Sequence, residues 1–236
     1  MRKLLAIVGT LLSLTTMGQN ADTAIPKKLA IGLTFSPDYS YRSLKPDNSG
    51  ESMAEWRDSF EIPKFGYTTG LSLVYRLNKR ISMEAGIQFS DKGEQTKQRA
   101  LIYFQPEPKA PDKIKYTYSY LYIDVPIKAY FRLTDKRLKL FLSVGLSPNI
   151  FIAQKITSYL TYEGGSTQKS TSSSFSGLSR INLAVLGGLG LDYELTDRIN
   201  LRLEPIYRRS ITSIIDAPIK AYLYSIGVNM GVYYRL

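Results

Sequence analysis

The sequence predicts an all-β protein, an eight-stranded antiparallel up-and-down transmembrane β-barrel with short periplasmic turns and long extracellular loops. Three observations lead to this fold class. Large apolar residues recur at every second position in eight segments, short and long connections alternate between the segments, and aromatic residues gather near the segment ends. An even number of strands with this sorting of connections is typical of an outer-membrane barrel.

The alternation has period two, which is the side-chain period of a β-strand. Large apolar side chains on one face of each segment alternate with Gly, Ala, Ser, Thr or charged residues on the other. No later window keeps a helical period or offers the long apolar run of a transmembrane helix. The eight segments are 29–36, 65–77, 81–89, 121–133, 138–147, 181–192, 199–204 and 222–234.

The connections fall into two length classes that alternate along the chain. Three are tight polar turns, at 78–80, 134–137 and 196–198. Four are long, at 42–64, 91–115, 154–180 and 209–219. Turns on one rim and loops on the other, with both ends of the barrel on the turn side, indicate a membrane barrel, because a β-sandwich has no reason to sort its connections in this way.

A soluble eight-stranded barrel of the lipocalin type also alternates and has about this size. The composition of the polar face favours the membrane barrel, because small residues with charges of both signs fit the narrow interior of eight strands. The large apolar face then meets lipid, and aromatic residues form two interfacial girdles. They are Tyr39, Tyr41, Phe65, Tyr67, Phe89, Tyr222 and Tyr224 near the loops, and Tyr75, Phe131, Tyr193 and Tyr234 near the turns.

The amino terminus has the pattern of a secretory signal peptide. Arg2 and Lys3 precede an apolar stretch at 4–14, and a small-x-small site precedes Gln19. We expect residues 1–18 to be a signal peptide cleaved near Gly18/Gln19, residues 19–27 a short periplasmic segment, and residues 28–236 the barrel domain. The predicted location is the outer membrane of a Gram-negative cell.

The absence of two residue types narrows the chemistry. The 236 residues include no Cys and no His, which excludes disulfides, thiolate chemistry, a Ser-His-Asp triad and the commonest metal ligand. We therefore expect no catalytic, cofactor-binding or metal-binding residues. The excess of 31 Lys and Arg over 20 Asp and Glu does not indicate nucleic-acid binding in an exported protein. The basic loop at 91–115 either contacts anionic lipopolysaccharide or is an ordinary solvated loop.

Charged residues on the polar face are predicted to lie inside the barrel. There they would form an interior network of ion pairs, since an unpaired buried charge costs several kcal/mol. A catalytic carboxylate pair is the less favoured interpretation, and a filled interior also argues against a general porin. The network residues are Glu84, Asp124, Lys128, Arg132, Lys139, Asp192, Arg202, Glu204 and Arg235, with Glu194 and Arg208 on the same face.

Two prolines interrupt predicted barrel strands. Pro126 and Pro205 each remove a backbone donor from strands that have no free edge in a closed barrel. We expect each to mark a β-bulge.

Several stretches carry a resemblance to a known family. The run 120–131, Tyr-Leu-Tyr-Ile-Asp-Val-Pro-Ile-Lys-Ala-Tyr-Phe, resembles a characteristic strand of the PorT-type outer-membrane β-barrel family of Bacteroidetes. The run 141–148 resembles that family's aromatic-x-x-x-Gly-Pro strand, with Leu-Ser inserted before the proline. The run 204–207 corresponds to its Glu-x-Arg-Tyr strand, but Ile206 stands where Arg is usual, so no role for that Arg carries over.

The resemblance has implications for assembly and partners. Asn229, Gly231, Tyr234 and Leu236 look like the carboxyl-terminal signal that the barrel-assembly machinery reads, with Leu in place of the favoured Phe. From the eight alternating segments and the alternating loop lengths, we expect a monomeric, non-enzymatic barrel in contact with outer-membrane lipid and lipopolysaccharide. An accessory role in type IX secretion is the alternative that the family's namesake suggests. A small porin or a barrel enzyme is less favoured, because the barrel enzymes use His.

Overall fold

The structure is a computed structural model. It describes residues 28–236 except 48, 105–108, 135–137, 176 and 216. The predicted signal peptide and periplasmic segment lie outside the described residues. Among those described, no helix combines the length and apolar character needed to cross a membrane.

The described part of the chain contains eleven strands and one helix. In chain order they are β1 (Leu29–Pro46), α1 (Glu51–Phe60), β2 (Glu61–Arg76), β3 (Ile81–Thr96), β4 (Arg99–Ala100), β5 (Pro111–Asp124), β6 (Ile127–Arg132), β7 (Leu138–Tyr162), β8 (Thr167–Ser174), β9 (Ile181–Glu194), β10 (Ile199–Ser210) and β11 (Ile219–Arg235).

The strands close into a barrel because β1 pairs with both β2 and β11. Around the ring the order is β1, β2, β3, β5 with β6, β7, β9, β10 and β11, and every pairing is antiparallel. Strands β5 and β6 follow one another along a single barrel strand. The predicted eight-stranded up-and-down barrel is confirmed, and β4 and β8 are additional strands outside the ring.

Two of the three predicted tight turns, 78–80 and 196–198, join strands at one rim, and most of the third, 134–137, lies outside the described residues. At the first turn, the side-chain oxygen of Asn78 accepts hydrogen bonds from the backbone N–H groups of Arg80 and Ile81, both at 2.8 Å. Thr196 caps the last turn in a similar way, 3.0 Å from the N–H of Ile199. Short polar side chains therefore satisfy the backbone groups that the strands leave unpaired there.

The prediction of bulges at Pro126 and Pro205 is wrong. The register of β5 and β6 against β3 is the same on either side of Pro126, and so is their register against β7. Pro205 likewise sits in register opposite Val228. Each proline leaves a gap in the hydrogen-bond ladder without adding a residue. Near Pro126, the Val125 N–H donates to the carbonyl of Pro148 at 2.9 Å.

Alternate side chains along every barrel strand face opposite sides of the wall. The outer face is apolar and exposed, with Leu33 62%, Ile87 64% and Leu189 54% exposed. The inner face is polar and buried, as in β1, where Thr34, Ser36, Asp38 and Ser40 are 2% exposed or less. This arrangement is the reverse of a soluble barrel and suits a wall surrounded by lipid.

The long connections contain regular structure that the sequence analysis treated as loops. Phe89 of β3 marks the level of the girdle on the loop side. Strands β3, β5 and β7 continue well past that level, and β8 pairs with β7 at eight positions. Helix α1 lies in the first connection and β4 in the second. In this region the backbones still pair, but the outer faces are no longer apolar. The barrel therefore continues outside the membrane. We call this part the extramembrane extension, which consists of α1, β4, β8 and the loop-side parts of β3, β5 and β7.

Candidate functional site

The barrel interior holds the predicted charged residues in layers. Seven of the nine predicted network residues are less than 9% exposed, and Arg132 and Arg235 are partly exposed at the turn-side rim. Each of the seven lies within 4.0 Å of an oppositely charged group. The buried seven are Glu84, Asp124, Lys128, Lys139, Asp192, Arg202 and Glu204.

The central layer is built around Glu84 and Arg202. Glu84 is 1% exposed and accepts hydrogen bonds from Arg202 at 3.0 Å, from Tyr130 at 3.0 Å and from Tyr233 at 3.1 Å. Arg202 also binds Asp192 through two bonds of 2.7 and 2.9 Å. Aromatic rings surround its guanidinium group, with those of Tyr130 and Tyr233 at 4.2 and 4.5 Å. The planar guanidinium thus joins two carboxylates from different strands.

Lys128 links this layer to the next. Its Nζ lies 3.1 Å from Glu84 and 3.2 Å from Glu204. Glu204 is fully buried and also accepts hydrogen bonds from Ser143 at 2.5 Å and Asn229 at 2.9 Å. The polar atoms of five strands therefore meet in the barrel interior and fill it.

Toward the loop end, two further ion pairs continue the filling. Lys92 lies 2.8 Å from Asp124, and Arg208 lies 2.7 Å from Asp38. Asp38 and Lys92 were missed because both follow the apolar stretches that defined the strands. In β1 and β3 the polar, inward-facing residues stand at even-numbered positions. Asp38 and Lys92 continue that alternation, which could have identified them.

At the turn-side rim, Glu194 pairs with both Lys139 and Arg235. Arg132 differs from its prediction. It donates to the backbone carbonyl of Lys79 at 3.0 Å, and it makes no ion pair with a described carboxylate. The reason is its place as the last residue of β6, where the side chain reaches the adjoining turn instead of the interior.

The four residues of the predicted assembly signal lie on the last strand and its end. Asn229 faces inward to Glu204, and Gly231 packs against the ring of Tyr233. Tyr234 faces outward, with its hydroxyl 3.2 Å from Arg198. The backbone N–H of Leu236 donates to Leu29 at 3.0 Å, which joins the ends of the barrel strands. Their role in assembly stays a prediction.

The loop-end mouth of the barrel is covered by an apolar cluster. Ile214, from the connection after β10, is fully buried against Tyr120, Tyr122 and Leu223. Its N–H donates to the carbonyl of Ala221 at 2.9 Å, which folds this connection back onto β11. The interior is therefore filled by charges and capped by apolar side chains.

A cavity of about 460 Å³ lies in the extramembrane extension beside this cap. Five aromatic side chains line one part of its wall, and six polar or charged side chains lie among the rest. It is lined by Trp56, Arg57, Phe60, Glu61, Glu94, Thr96, Arg99, Ile114, Tyr116, Tyr118, Tyr120, Gln154, Gly177, Leu178 and Ile215. Helix α1 and strands β2, β3, β4, β5 and β7 contribute to it.

Sequence reasoning did not find this cavity. The even-numbered tyrosines 116, 118 and 120 lie on one face of β5, and their alternation in Tyr-Thr-Tyr-Ser-Tyr was the available signal. Trp56 and Phe60, one helical turn apart on α1, make an edge-to-face contact with 4.5 Å between ring centroids. Nothing in the sequence indicated that α1 would bring them to β5.

An acidic group lies at the buried side of the cavity. Glu94 is 1% exposed, and its Oε1 accepts a hydrogen bond from the Tyr120 hydroxyl at 2.7 Å. Its Oε2 has no hydrogen-bond partner among the described residues. Burial raises the pKa of Glu94 to about 7, against the lowering effects of the Tyr120 hydrogen bond and the Arg42 charge. Burial also raises the pKa of Tyr120, so its hydroxyl remains the donor.

The other charged groups near Glu94 have ionic or aromatic partners. Arg42 binds Glu61 and lies 3.7 Å from Glu94. Arg57 lies 2.9 Å from the second oxygen of Glu61. Arg99 stacks on Phe60, with its guanidinium carbon 4.4 Å from the ring centroid. Glu94 is thus the acid of this group whose second oxygen is left without a donor.

A closed barrel with an apolar outer face and a polar, filled interior defines a membrane β-barrel protein. A family model described as outer membrane protein beta-barrel domain matches residues 17–216, and the chain belongs to this family. Membership places the protein in the outer membrane.

Comparison with curated proteins gives no significant match. Among solved structures, the chain is similar to neisserial surface protein A (15% identity, 88% of this chain and 97% of that one, TM-score 0.44). It is also similar to OprG from Pseudomonas aeruginosa (14% identity, 89% of this chain and 97% of that one, TM-score 0.37). A third similar structure is that of Ail from Yersinia pestis in complex with sucrose octasulfate (13% identity, 86% of this chain and 97% of that one, TM-score 0.35). At these identities the likeness concerns the fold alone.

Proposed function

We propose that the protein is a non-enzymatic, non-conducting scaffold of the outer membrane that presents its extramembrane extension for contacts at the cell surface. The filled interior is the observation that carries this proposal. The residues around Glu84, Lys128, Arg202 and Glu204 join opposite strands across the axis, and the cluster around Ile214 covers the mouth. Such an interior leaves no continuous path for solutes.

Conductance of the purified protein in planar lipid bilayers tests the proposal. We expect no stable openings on the nanosiemens scale from folded wild-type protein, and stable openings of that size would contradict it. The variant Glu204→Ala is a useful companion, because it removes the acceptor of Lys128, Ser143 and Asn229 in the interior. Conductance that appears only in the variant supports a closed wild-type barrel.

The remaining expectations from the sequence belong to the same proposal. Residues 1–18 direct export and are removed near Gly18/Gln19, and the carboxyl-terminal residues Asn229, Gly231, Tyr234 and Leu236 are read by the barrel-assembly machinery. In this proposal the protein is a monomer in contact with outer-membrane lipid, and exposed Lys97, Arg99 and Lys113 lie where lipopolysaccharide would be met. Mass spectrometry of the mature amino terminus tests the cleavage position.

A second candidate is an accessory role in type IX protein secretion. It is supported by the resemblance of residues 120–131 to the characteristic strand of the PorT-type family. These residues include Tyr120, which lines the extramembrane cavity, and Pro126, which interrupts the barrel strand. Deletion of the gene in its host would reduce export of type IX cargo, whereas intact export would rule the role out.

A further inference from the structure

The extramembrane cavity has the dimensions and lining of a small-molecule site. Ligand pockets in proteins are typically about 300–1,000 Å³ and mostly apolar, with a few polar groups that fix orientation, and this cavity of about 460 Å³ falls in that range. Five aromatic side chains line it: Trp56, Phe60, Tyr116, Tyr118 and Tyr120. Flat rings of this kind stack against other rings.

A second observation points to a ligand with a particular polar group. The Oε2 atom of Glu94 is buried and has no hydrogen-bond donor among the described residues. Such an atom costs free energy unless something donates to it. Because Glu94 lines the cavity while Tyr120 occupies its other oxygen, a donor on a ligand would complete its hydrogen bonds.

The charges around the cavity select the ligand's own charge. Arg57 and Arg99 line it, and with nearby Arg42 these three cations outnumber the two acids Glu61 and Glu94, so the net positive charge would repel a cation. The charge of Glu61 is offset by its pairs with Arg42 and Arg57. An anion would lose its hydration against the aromatic walls and meet Glu94 on the buried side. A neutral molecule avoids both costs.

We propose that this cavity binds a neutral, ring-containing small molecule that carries a hydrogen-bond donor, and that Glu94 accepts a hydrogen bond from that donor. The aromatic side chains supply contact area. The hydrogen bond to Glu94 favours a ring that carries a donor over the same ring without a donor. The site lies outside the barrel interior, so ligand binding neither requires nor creates a pore.

The experiment uses two matched probes, indole and 1-methylindole, which differ in the ring N–H. The chain has one Trp, and it lines the cavity, so ¹⁵N-labelled protein in lipid nanodiscs gives a single tryptophan side-chain signal that reports binding. At pH 8, above the Glu94 pKa of about 7, the group is mostly ionised. There we expect indole to shift the Trp56 signal saturably, and to bind about tenfold more tightly than 1-methylindole, as one hydrogen bond to a carboxylate implies.

The variant Glu94→Gln tests the residue assigned to the donor. Tyr120 still requires an oxygen acceptor, so the new amide NH₂ takes the place of Oε2 and faces the indole N–H as a second donor. We expect indole binding to weaken about tenfold, with 1-methylindole binding unchanged. Glu163→Gln is the matched control, since Glu163 is exposed in the turn between β7 and β8, and it should behave as wild type.

Two results would overturn the proposal. One is the lack of a saturable Trp56 shift with indole in folded wild-type protein. The other is equal affinity for the two probes, which needs no variant and so does not depend on how Glu94→Gln folds. Neither result bears on the closed interior, which the conductance measurement tests separately.

Discussion

Arg202 shows why the interior charges need one another. It is 8% exposed and forms ion pairs with two buried acids, Glu84 and Asp192. Without Arg202, neither acid would have a guanidinium partner in the described part of the chain. Removal of one partner from a buried ion pair is strongly destabilising, because the remaining charge keeps its desolvation cost. Lys128 still reaches Glu84, but Asp192 has no other cation within ion-pair distance among the described residues.

The variant Arg202→Met tests this directly. We expect it to lower the free energy of unfolding by about 3–5 kcal/mol, measured by urea titration of the folded protein in detergent. Arg80→Met is the control, because Arg80 is exposed in the first turn, and its effect should stay within about 0.5 kcal/mol. Similar stability of the two variants would contradict the interior network.

Glu94 predicts a dependence of stability on pH. Its pKa is raised from 4.5 to about 7 by burial, so the folded protein retains a proton that the unfolded chain has released between those values. The contribution of Glu94 to stability is therefore greatest at low pH and falls as pH rises from about 4.5 to about 7.

Comparison with Glu94→Gln isolates this effect, since Gln does not titrate. From pH 4.5 to pH 8, the unfolding free energy of the wild type should fall relative to the variant by up to about 3 kcal/mol. Urea titrations at the two pH values measure the difference. A relative stability that rises with pH would show that Glu94 is ionised more easily in the folded protein.

At the scale of elements, glycines on neighbouring strands make room for one aromatic ring. A Cβ on Gly32 of β1 would lie 2.4 Å from the ring of Tyr233, and one on Gly231 of β11 would lie 2.5 Å from it. Tyr233 needs this space because its hydroxyl donates to Glu84 inside the barrel. The glycine of the predicted assembly signal thus has a packing role in the folded strand.

We expect Gly32→Ala and Gly231→Ala each to destabilise the barrel by about 1–3 kcal/mol, because each displaces the Tyr233 ring. Gly187→Ala on β9 is the control, since a Cβ there has open space, and it should be close to neutral. Unfolding in urea measures all three. If Gly231→Ala slowed assembly while Gly32→Ala left stability unchanged, recognition and not packing would explain the terminal glycine.

The sequence predicted the barrel strands where the outer face is apolar, because lipid requires that face to alternate strictly with a polar one. It failed above the membrane, where β5 and β7 continue with polar or aromatic residues on both faces. It identified interior acids such as Glu84 and Glu204 from parity. It missed the cavity, because tertiary packing of α1 on the strands brings Trp56 and Tyr116 to the same cavity, and no local pattern specifies that packing.

At the scale of the whole molecule, the outer apolar face and the filled polar interior form one arrangement. Each strand places a lipid-facing residue beside an interior residue, so a shift of register by one would exchange the two faces. The same parity holds through β1, β10 and β11, whose burial alternates residue by residue. The scaffold is therefore specified by alternation around the entire ring.

Spin-label accessibility tests this central claim most directly, and the absence of native Cys makes single-cysteine variants straightforward. Labels at Ile87, Leu189 and Val228 on the outer face should collide with dissolved oxygen and be shielded from an aqueous nickel complex. A label at Ser172, which is exposed on β8 in the extramembrane extension, should show the reverse. Free access of the nickel complex to Ile87, Leu189 and Val228 would contradict the lipid-facing barrel.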